Sequence, residues 1–473
     1  MSDNKGTAPL QATIIGAGIA GLTCATRLAD AGVSLMVLEK GKDAKYPCNT
    51  RIAGGAFHVA HRDVAEDPQV ILDAIRTRTD SQVDPELIGA LAGGVNEAVQ
   101  WLRTCGARFI KVGHEVFRRH TLAPPIKISG KDYWHGRGGD ALLANLEEAL
   151  KRRGGAITRG AKATRLIVED GRCVGVVAEI DGVEREIRAA NVVICDGGFQ
   201  ANPELVGKYI SAQPGQLCRR NAGSAMGDGL LMAQEAGARS VGLDRFYGHV
   251  LSADAFTSDD FWPFPILDFL CMAGVVVDGA GARVLDEGLG GVRIINQLAK
   301  LAEPASTWLV YDQAIWDGPG KEFLTPANPI LKSLGASILE AGTIDALAAK
   351  MGVDASALRA TIETYNRAVS EGATEGLSPK RTVGAHKPMR VEAAPFYAIR
   401  ICAGLTYTMG GIAIDADARV LREEGGVIPG LYAAGCATGG IEGGENVAYI
   451  GGLTKSTFTG YRSAGSILSS LRG

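Results

Sequence analysis

The sequence predicts an α/β protein whose parallel sheet is formed by both chain ends, with an α+β cap inserted between them. Three features carry that prediction. Near the N-terminus, the apolar run Ala12-Thr13-Ile14-Ile15 opens into Gly16-Ala17-Gly18-Ile19-Ala20-Gly21 and a helical pattern. A second apolar run, Leu35-Met36-Val37-Leu38, ends on Glu39 and Lys40. Far along the chain, Ile428-Pro429-Gly430-Leu431-Tyr432-Ala433-Ala434-Gly435 again runs from an apolar strand into a glycine-rich turn.

The first two features make one βαβ unit. Gly16 supplies the turn, Gly18 lets the backbone approach a pyrophosphate, and Gly21 lets helix and strand close together. Glu39, about twenty residues on, is placed to hold a ribose hydroxyl, which a merely tight strand-to-helix turn does not require. The third feature closes the same site from the other chain end. That is how FAD flavoproteins are built, so a Rossmann-type FAD-binding domain is expected.

Between these ends the elements follow in order. Cys48-Asn49-Thr50-Arg51-Ile52-Ala53-Gly54-Gly55 offers a hydroxyl, a cation and paired glycines, suited to the pyrophosphate and the flavin edge. Helical spacing occupies roughly 67–104, with Ile71 and Ile75 and then Leu87, Leu91, Val95, Val99 and Leu102 on one face. Gly138-Gly139-Asp140 opens another helix, running from Ala141 to Arg153. Alternating strands follow at 163–169, 173–180 and 184–188, and Val192-Val193-Ile194 leads to Asp196-Gly197-Gly198. Gly227-Asp228-Gly229 starts a helix that ends near Gly237. From about 240 the texture changes, with aromatics and prolines between Phe256 and Phe269, and Pro388 to Ile401 brings the chain back. The expected division is therefore 1–239 for the first part of the FAD domain, 240–385 for the cap and 386–473 for the second part.

Composition narrows the function. A net charge of −3 with no basic cluster gives no footprint for nucleic acid. Nine cysteines, odd in number and without CxxC spacing, indicate neither a disulfide framework nor a metal site. The longest apolar stretch, Ile266 to Val277, is too short to span a bilayer and carries Asp268. Met1 to Gly6 lacks an apolar signal core. A cytoplasmic enzyme acting on a small molecule is expected.

The order of these motifs, with Thr406-Tyr407-Thr408-Met409-Gly410-Gly411 ahead of the closing strand and Gly452-Leu453-Thr454 after it, resembles the fumarate reductase/succinate dehydrogenase flavoprotein superfamily. The similarity covers nearly the whole chain and looks nearest to the soluble 3-ketosteroid and tricarballylate dehydrogenases. It implies a substrate held between cap and FAD domain, with chemistry at a C–C or C=C bond beside a carbonyl or carboxylate. The expected flavin contacts are Gly16, Gly18, Ala20, Gly21, Glu39, Lys40, Thr50, Arg51, Gly54, Gly55, Ala163, Asp196, Gly197, Gly198, Gly227, Asp228, Gly435, Gly452, Leu453 and Thr454. With no histidine in Asn49-Thr50-Arg51, where membrane-complex members tether their flavin, FAD is expected to be non-covalent.

Hydride exchange with a flavin also needs an acid or base for the neighbouring proton and a polarising group for the carbonyl. The resemblance implies a cap arginine as proton donor, and Arg293 lies within a couple of residues of that position. A substrate-binding histidine is implied where Tyr407 stands, and a second arginine where Glu445-Asn446-Val447-Ala448-Tyr449-Ile450 offers none. Two carboxylate anchors are thus replaced, which points away from a fumarate-like dianion and toward a ketone. The expected catalytic set is Tyr407, as carbonyl donor or α-proton base, with Arg293 and Tyr449. Tyr247 and His249 either pack at the cap hinge or serve the site, and Phe261-Trp262-Pro263-Phe264 either lines a pocket or forms cap core. His135 and Tyr133 are open in the same way. A ketone dehydrogenase is expected, passing electrons to an unidentified acceptor. An ene-reductase fed by an external donor and a flavin electron-relay subunit remain as alternatives.

Overall fold

In the computed structural model, residues 10–127, 132–384 and 387–472 are described; Met1 to Gly6 and the expected cap boundary at 385–386 lie outside them. A six-stranded sheet is ordered Arg419–Leu421, Val427–Ala433, Val192–Ile194, Ala12–Ile15, Leu35–Glu39 and Ile157–Arg159. All neighbours after the first pair are parallel. The late strand does join the early ones, with Val192–Ile194 standing between: Ile194 pairs with Ile15 on one side and Ala433 on the other. Helix Ile19–Asp30 crosses between the first two strands, almost wholly buried, and helix Gly452–Ser470 packs along it.

The expected helical stretch 67–104 is two helices, Pro68–Thr79 and Pro85–Thr104. The first stops because Asp80 turns left-handed, and the second starts where Asp84 accepts hydrogen bonds from the backbone N–H groups of Glu86 and Leu87. The antiparallel strands Ala161–Glu169, Arg172–Ile180 and Val183–Arg188 form their own three-stranded sheet.

A second large sheet is organised on one long strand, Phe396–Thr408. Its first half pairs with Trp308–Asp312 and Ile338–Ala341; its second half pairs with Phe246–Ser252 and, in parallel, with Cys218–Arg219. Tyr407 sits at the end of this strand, opposite Tyr247. Among the described residues, no helix is long and apolar enough to cross a membrane.

Candidate active site

A groove of about 830 Å³ opens at the carboxyl ends of the parallel strands, the place where such sheets bind ligands. Gly16, Gly18, Ala20, Glu39, Lys40, Thr50, Ala163, Asp196, Gly197, Asp228 and Gly435 line it. Glycine is obligatory at Gly16, where φ is +96° and an added Cβ would lie 2.7 Å from the Cys195 carbonyl oxygen. At Gly21 a Cβ would meet the Gly16 carbonyl oxygen at 1.9 Å, so this glycine serves the helix–strand contact and stays outside the lining. At Gly18 the nearest atom to a Cβ is Thr50 Oγ1 at 3.7 Å. The protein leaves room there, which fits a ligand taking it.

Two buried acceptors in the lining, Asp196 Oδ1 and Gln200 Oε1, have no hydrogen-bond partner in the protein. Such orphaned groups fit a polar ligand that completes them. Burial, with the negative Asp228 adding to it, holds the Asp196 carboxyl up to about 6. Glu39 accepts from the Ala17 N–H at 3.0 Å and the Gly41 N–H at 2.8 Å, so it shapes the glycine turn as well as facing the groove. Lys40 and Asp228 pair with each other at 2.8 Å on the rim.

Several expected flavin contacts stand elsewhere. Arg51 does not line the groove: it is buried against Asp140 at the start of helix Gly138–Arg152, and donates to the carbonyls of Tyr46 and Ala44. Gly54, Gly55, Gly198 and Gly227 are also outside the lining. A Cβ at Gly198 would strike Thr408 Oγ1 at 2.0 Å, and Gly227 caps helix Asp228–Glu235 with φ +78°. Gly452, Leu453 and Thr454 begin the last helix; Thr454 Oγ1 accepts from the His58 N–H. The lining includes Gln200, Ser224 and Ser456, which the sequence did not single out.

Past Cys436, which lines the groove, lies a cluster of three tyrosines. Tyr247 stacks on Tyr449 with ring centroids 3.9 Å apart, and Tyr407 is 5.3 Å from Tyr247. Tyr407 is committed to another partner: its hydroxyl donates to Glu442, at 2.9 and 3.1 Å to the two carboxylate oxygens. Glu442 in turn pairs with Lys455 at 3.0 Å, and both side chains are fully buried. The ammonium also donates to the carbonyl oxygens of Thr438 and Met409. Burial and the adjacent Glu442 carboxylate hold the Tyr407 hydroxyl well above the ordinary tyrosine value. Tyr407, expected as carbonyl donor or α-proton base, is thus hydrogen-bonded to a carboxylate that the sequence reading did not single out.

Tyr247 is wired differently. Its hydroxyl meets His249 Nε2 at 2.9 Å, and His249 Nδ1 meets Asp268 Oδ2 at 2.7 Å. In the neutral imidazole one ring nitrogen donates and the other accepts, so a proton on Nδ1 toward the Asp268 carboxylate leaves Nε2 to accept from Tyr247. The other Asp268 oxygen accepts from the Val250 N–H, which fixes the carboxylate. Burial pushes the Tyr247 hydroxyl up to about 12, and pushes Tyr449 well above the ordinary value. Two of the three hydroxyls are thus joined to a basic side chain, Tyr407 to Glu442 and Tyr247 to His249, while that of Tyr449 accepts from the Gly452 N–H. Arg293, on helix Gly291–Leu298, donates to the Asn446 side chain of the closing segment, while its neighbour Val292 packs against the tyrosines. Of the open candidates, Tyr133 is buried, with its hydroxyl on the Ile52 carbonyl, and His135 lies outside the tyrosine cluster, against Trp134.

Comparisons with known proteins identify the family. Residues 12–448 match the model of the FAD binding domain family. The chain is 26% identical over 453 residues to a probable fumarate reductase of Shewanella frigidimarina, covering 92% of this chain and 70% of that protein. It is 29% identical over 345 residues to a 3-oxosteroid 1-dehydrogenase of Mycolicibacterium smegmatis, covering 67% of this chain and 59% of the relative. In fold it is similar to a 3-ketosteroid Δ1-dehydrogenase from Sterolibacterium denitrificans, with TM-score 0.76 and 20% identity, over 98% of this chain and all of that one. The chain belongs to the FAD binding domain family and is an FAD-dependent flavoprotein oxidoreductase acting on CH–CH groups.

Proposed function

We propose that this protein catalyses dehydrogenation of a ketone-type substrate at the C–C bond beside its carbonyl, with the substrate bound over the tyrosine cluster between the cap, 240–385, and the FAD domain. The observation that carries the reading is the packing of three buried tyrosine rings against one another, one of them hydrogen-bonded to an Asp–His pair. FAD, held non-covalently by the glycine turn and Glu39, supplies hydride acceptance, or donation when the reaction runs toward the saturated product.

The residues do the rest. Tyr449 donates toward the carbonyl oxygen, where negative charge develops as the α-proton leaves; a positioned donor of this kind is a principal source of rate enhancement. Tyr247 takes that proton while passing its own to His249, whose imidazolium is stabilised by Asp268. Tyr407, fixed on Glu442, walls the site without exchanging its proton. Arg293 ties the cap to Asn446 and keeps water out.

The same groups serve the reverse direction, so an ene-reductase uses an identical site; the electron acceptor or donor is a separate partner. The relatives named above, a probable fumarate reductase and a 3-oxosteroid dehydrogenase, support chemistry at CH–CH groups beside a carbonyl or carboxylate. The test is anaerobic: oxidised protein is mixed with a panel of cyclic and open-chain ketones, and the flavin band near 450 nm, a general property of flavins, is followed. Bleaching by a ketone, slowed by Tyr247→Phe, is expected. A flavin that no ketone bleaches, and that no unsaturated ketone reoxidises, defeats the proposal.

A further inference from the structure

Beside the tyrosines lies a second set of polar side chains that the reaction above does not use. Tyr449, which stacks on Tyr247, also packs edge-on against His58, with centroids 5.3 Å apart. His58 stacks on His61 at 5.1 Å, and both rings meet Phe117. The next residue, Arg118, lies over the rings of Phe117 and of Phe323, a residue of the cap segment. This set therefore runs from the tyrosine cluster to the seam between cap and FAD domain.

Its hydrogen bonding is incomplete. His61 Nδ1 and Arg118 Nε are buried and have no hydrogen-bond partner. The Arg118 side chain is only 14% exposed, and the carboxylate nearest its Nε, that of the exposed Glu115, is 3.7 Å away. Burial lowers His58, His61 and Arg118, and the Arg78 and Arg118 guanidiniums lower both imidazoles further. The patch thus holds the positive charge of Arg118, whose ion-pair partner Glu115 is exposed.

The turn that carries His61 is strained. Ala60 and His61 are successive non-glycine residues with φ of +50° and +62°, a conformation that persists only where the surroundings impose it and that concentrates at ligand sites. The Ala60 N–H donates to the Ile450 carbonyl at 2.8 Å, fixing this turn to the segment that bears Tyr449. The unpartnered nitrogens of His61 and Arg118 and the strained turn are separate observations on one patch.

We propose that this patch is an anion subsite, in which Arg118 with His61 binds a carboxylate of the substrate, so that the substrate class is an oxo-carboxylic acid. The proposal rests on the reading of the tyrosine cluster as the site of the carbonyl. It restores to the ligand a negative charge that the lost histidine and arginine positions argued against, at a different place in the fold.

The test uses the oxidised holoenzyme and two near-isosteric probes, 4-hydroxybenzoate and the neutral 4-hydroxybenzamide. Their phenol oxygen stands for the enol oxygen of a cyclic ketone, and binding is read from the shift of the flavin absorption bands. The acid is expected to bind about tenfold or more tighter than the amide, the scale of hydrogen bonds to a charged group. Arg118→Gln is expected to abolish that preference while leaving the amide's affinity unchanged, and Arg118→Lys to retain part of it. A spectrum unmoved by the acid, equal binding of the two probes, or equal weakening of both by Arg118→Gln each overturns the subsite. A neutral ketone that bleaches the flavin independently of Arg118 removes the subsite and leaves the dehydrogenase standing. Acid–amide discrimination without bleaching by any ketone does the reverse.

Discussion

The buried ion pair beneath Tyr407 gives the sharpest quantitative prediction. Lys455→Met removes a fully buried ammonium that donates to Glu442, Thr438 and Met409. The Glu442 carboxylate is then left with the Tyr407 hydroxyl and the Ile450 N–H as its donors. Breaking one side of a buried pair costs about 3–5 kcal/mol, because the surviving charge stays uncompensated. Glu442→Gln should cost a similar amount, leaving the ammonium and the Tyr407 hydroxyl to compete for one amide oxygen. Against a total stability on the order of 5–15 kcal/mol, either change alone is severe. With both changes together no charge is buried, so the double variant should be more stable than either single one. The assay is urea unfolding of all four proteins at equal flavin occupancy, followed by circular dichroism. Midpoints are compared, since a cofactor-bound protein of this size need not unfold in one step. A double variant that loses as much as the two singles together would show that the charges do not stabilise each other, and the argument for a held Tyr407 proton would fall with them.

Tyr247→Phe keeps the ring stacked on Tyr449 but loses the contact to His249, so flavin reduction should slow by about 10²–10⁴ with FAD still bound; a wild-type rate in stopped-flow reduction would remove the relay. Glu39→Ala should weaken FAD by about 1.5–3 kcal/mol, since Glu39 also holds the N–H groups of Ala17 and Gly41. Fluorescence titration of the deflavo-protein measures this, and a change below about twofold would deny Glu39 a role. His61 titrates near 4 in the fold against 6.5 ordinarily, because burial and the nearby arginines disfavour its charged form. The unfolded chain therefore binds more protons between those values, and the folded protein should lose stability as pH falls from 6.5 toward 4. Thermal melts across that range should show a smaller loss in His61→Gln, and an unchanged slope would contradict the assignment.

Much of the cofactor end was legible because glycine spacing reports backbone geometry directly. The turn at Gly16, the acid at Glu39 and the late strand through Ala433 all lie where their pattern placed them. The place of Arg51 was not legible, because a cation beside glycines looks the same in sequence whether it faces a phosphate or a buried acid; its partner Asp140 lies 89 residues away. The Tyr247–His249 pair had a local signal, since residues two apart on a strand share a face, but nothing in sequence tied Asp268 to it. Glu442 and Lys455 look like surface charges on a glycine loop and a helix start. Only the packing of the last helix against the end of Phe396–Thr408 encloses them.

That thirteen-residue strand, roughly 40 Å long at the usual rise per residue, behaves as a strut between two parts of the molecule. One end is laddered to Trp308–Asp312 and Ile338–Ala341, and the other carries Tyr407 and Thr408, whose Oγ1 accepts from the Phe199 N–H. A continuous ladder bends little, so a displacement of the outer strands would drag Tyr407 along instead of swinging free of it. The aromatic rim is tied to this same strut: Arg220, which lies over the Phe264 ring and donates to the Pro263 carbonyl, also donates to Thr406 Oγ1 at 2.8 Å. A shift of that rim is therefore felt at the strand end that carries Tyr407.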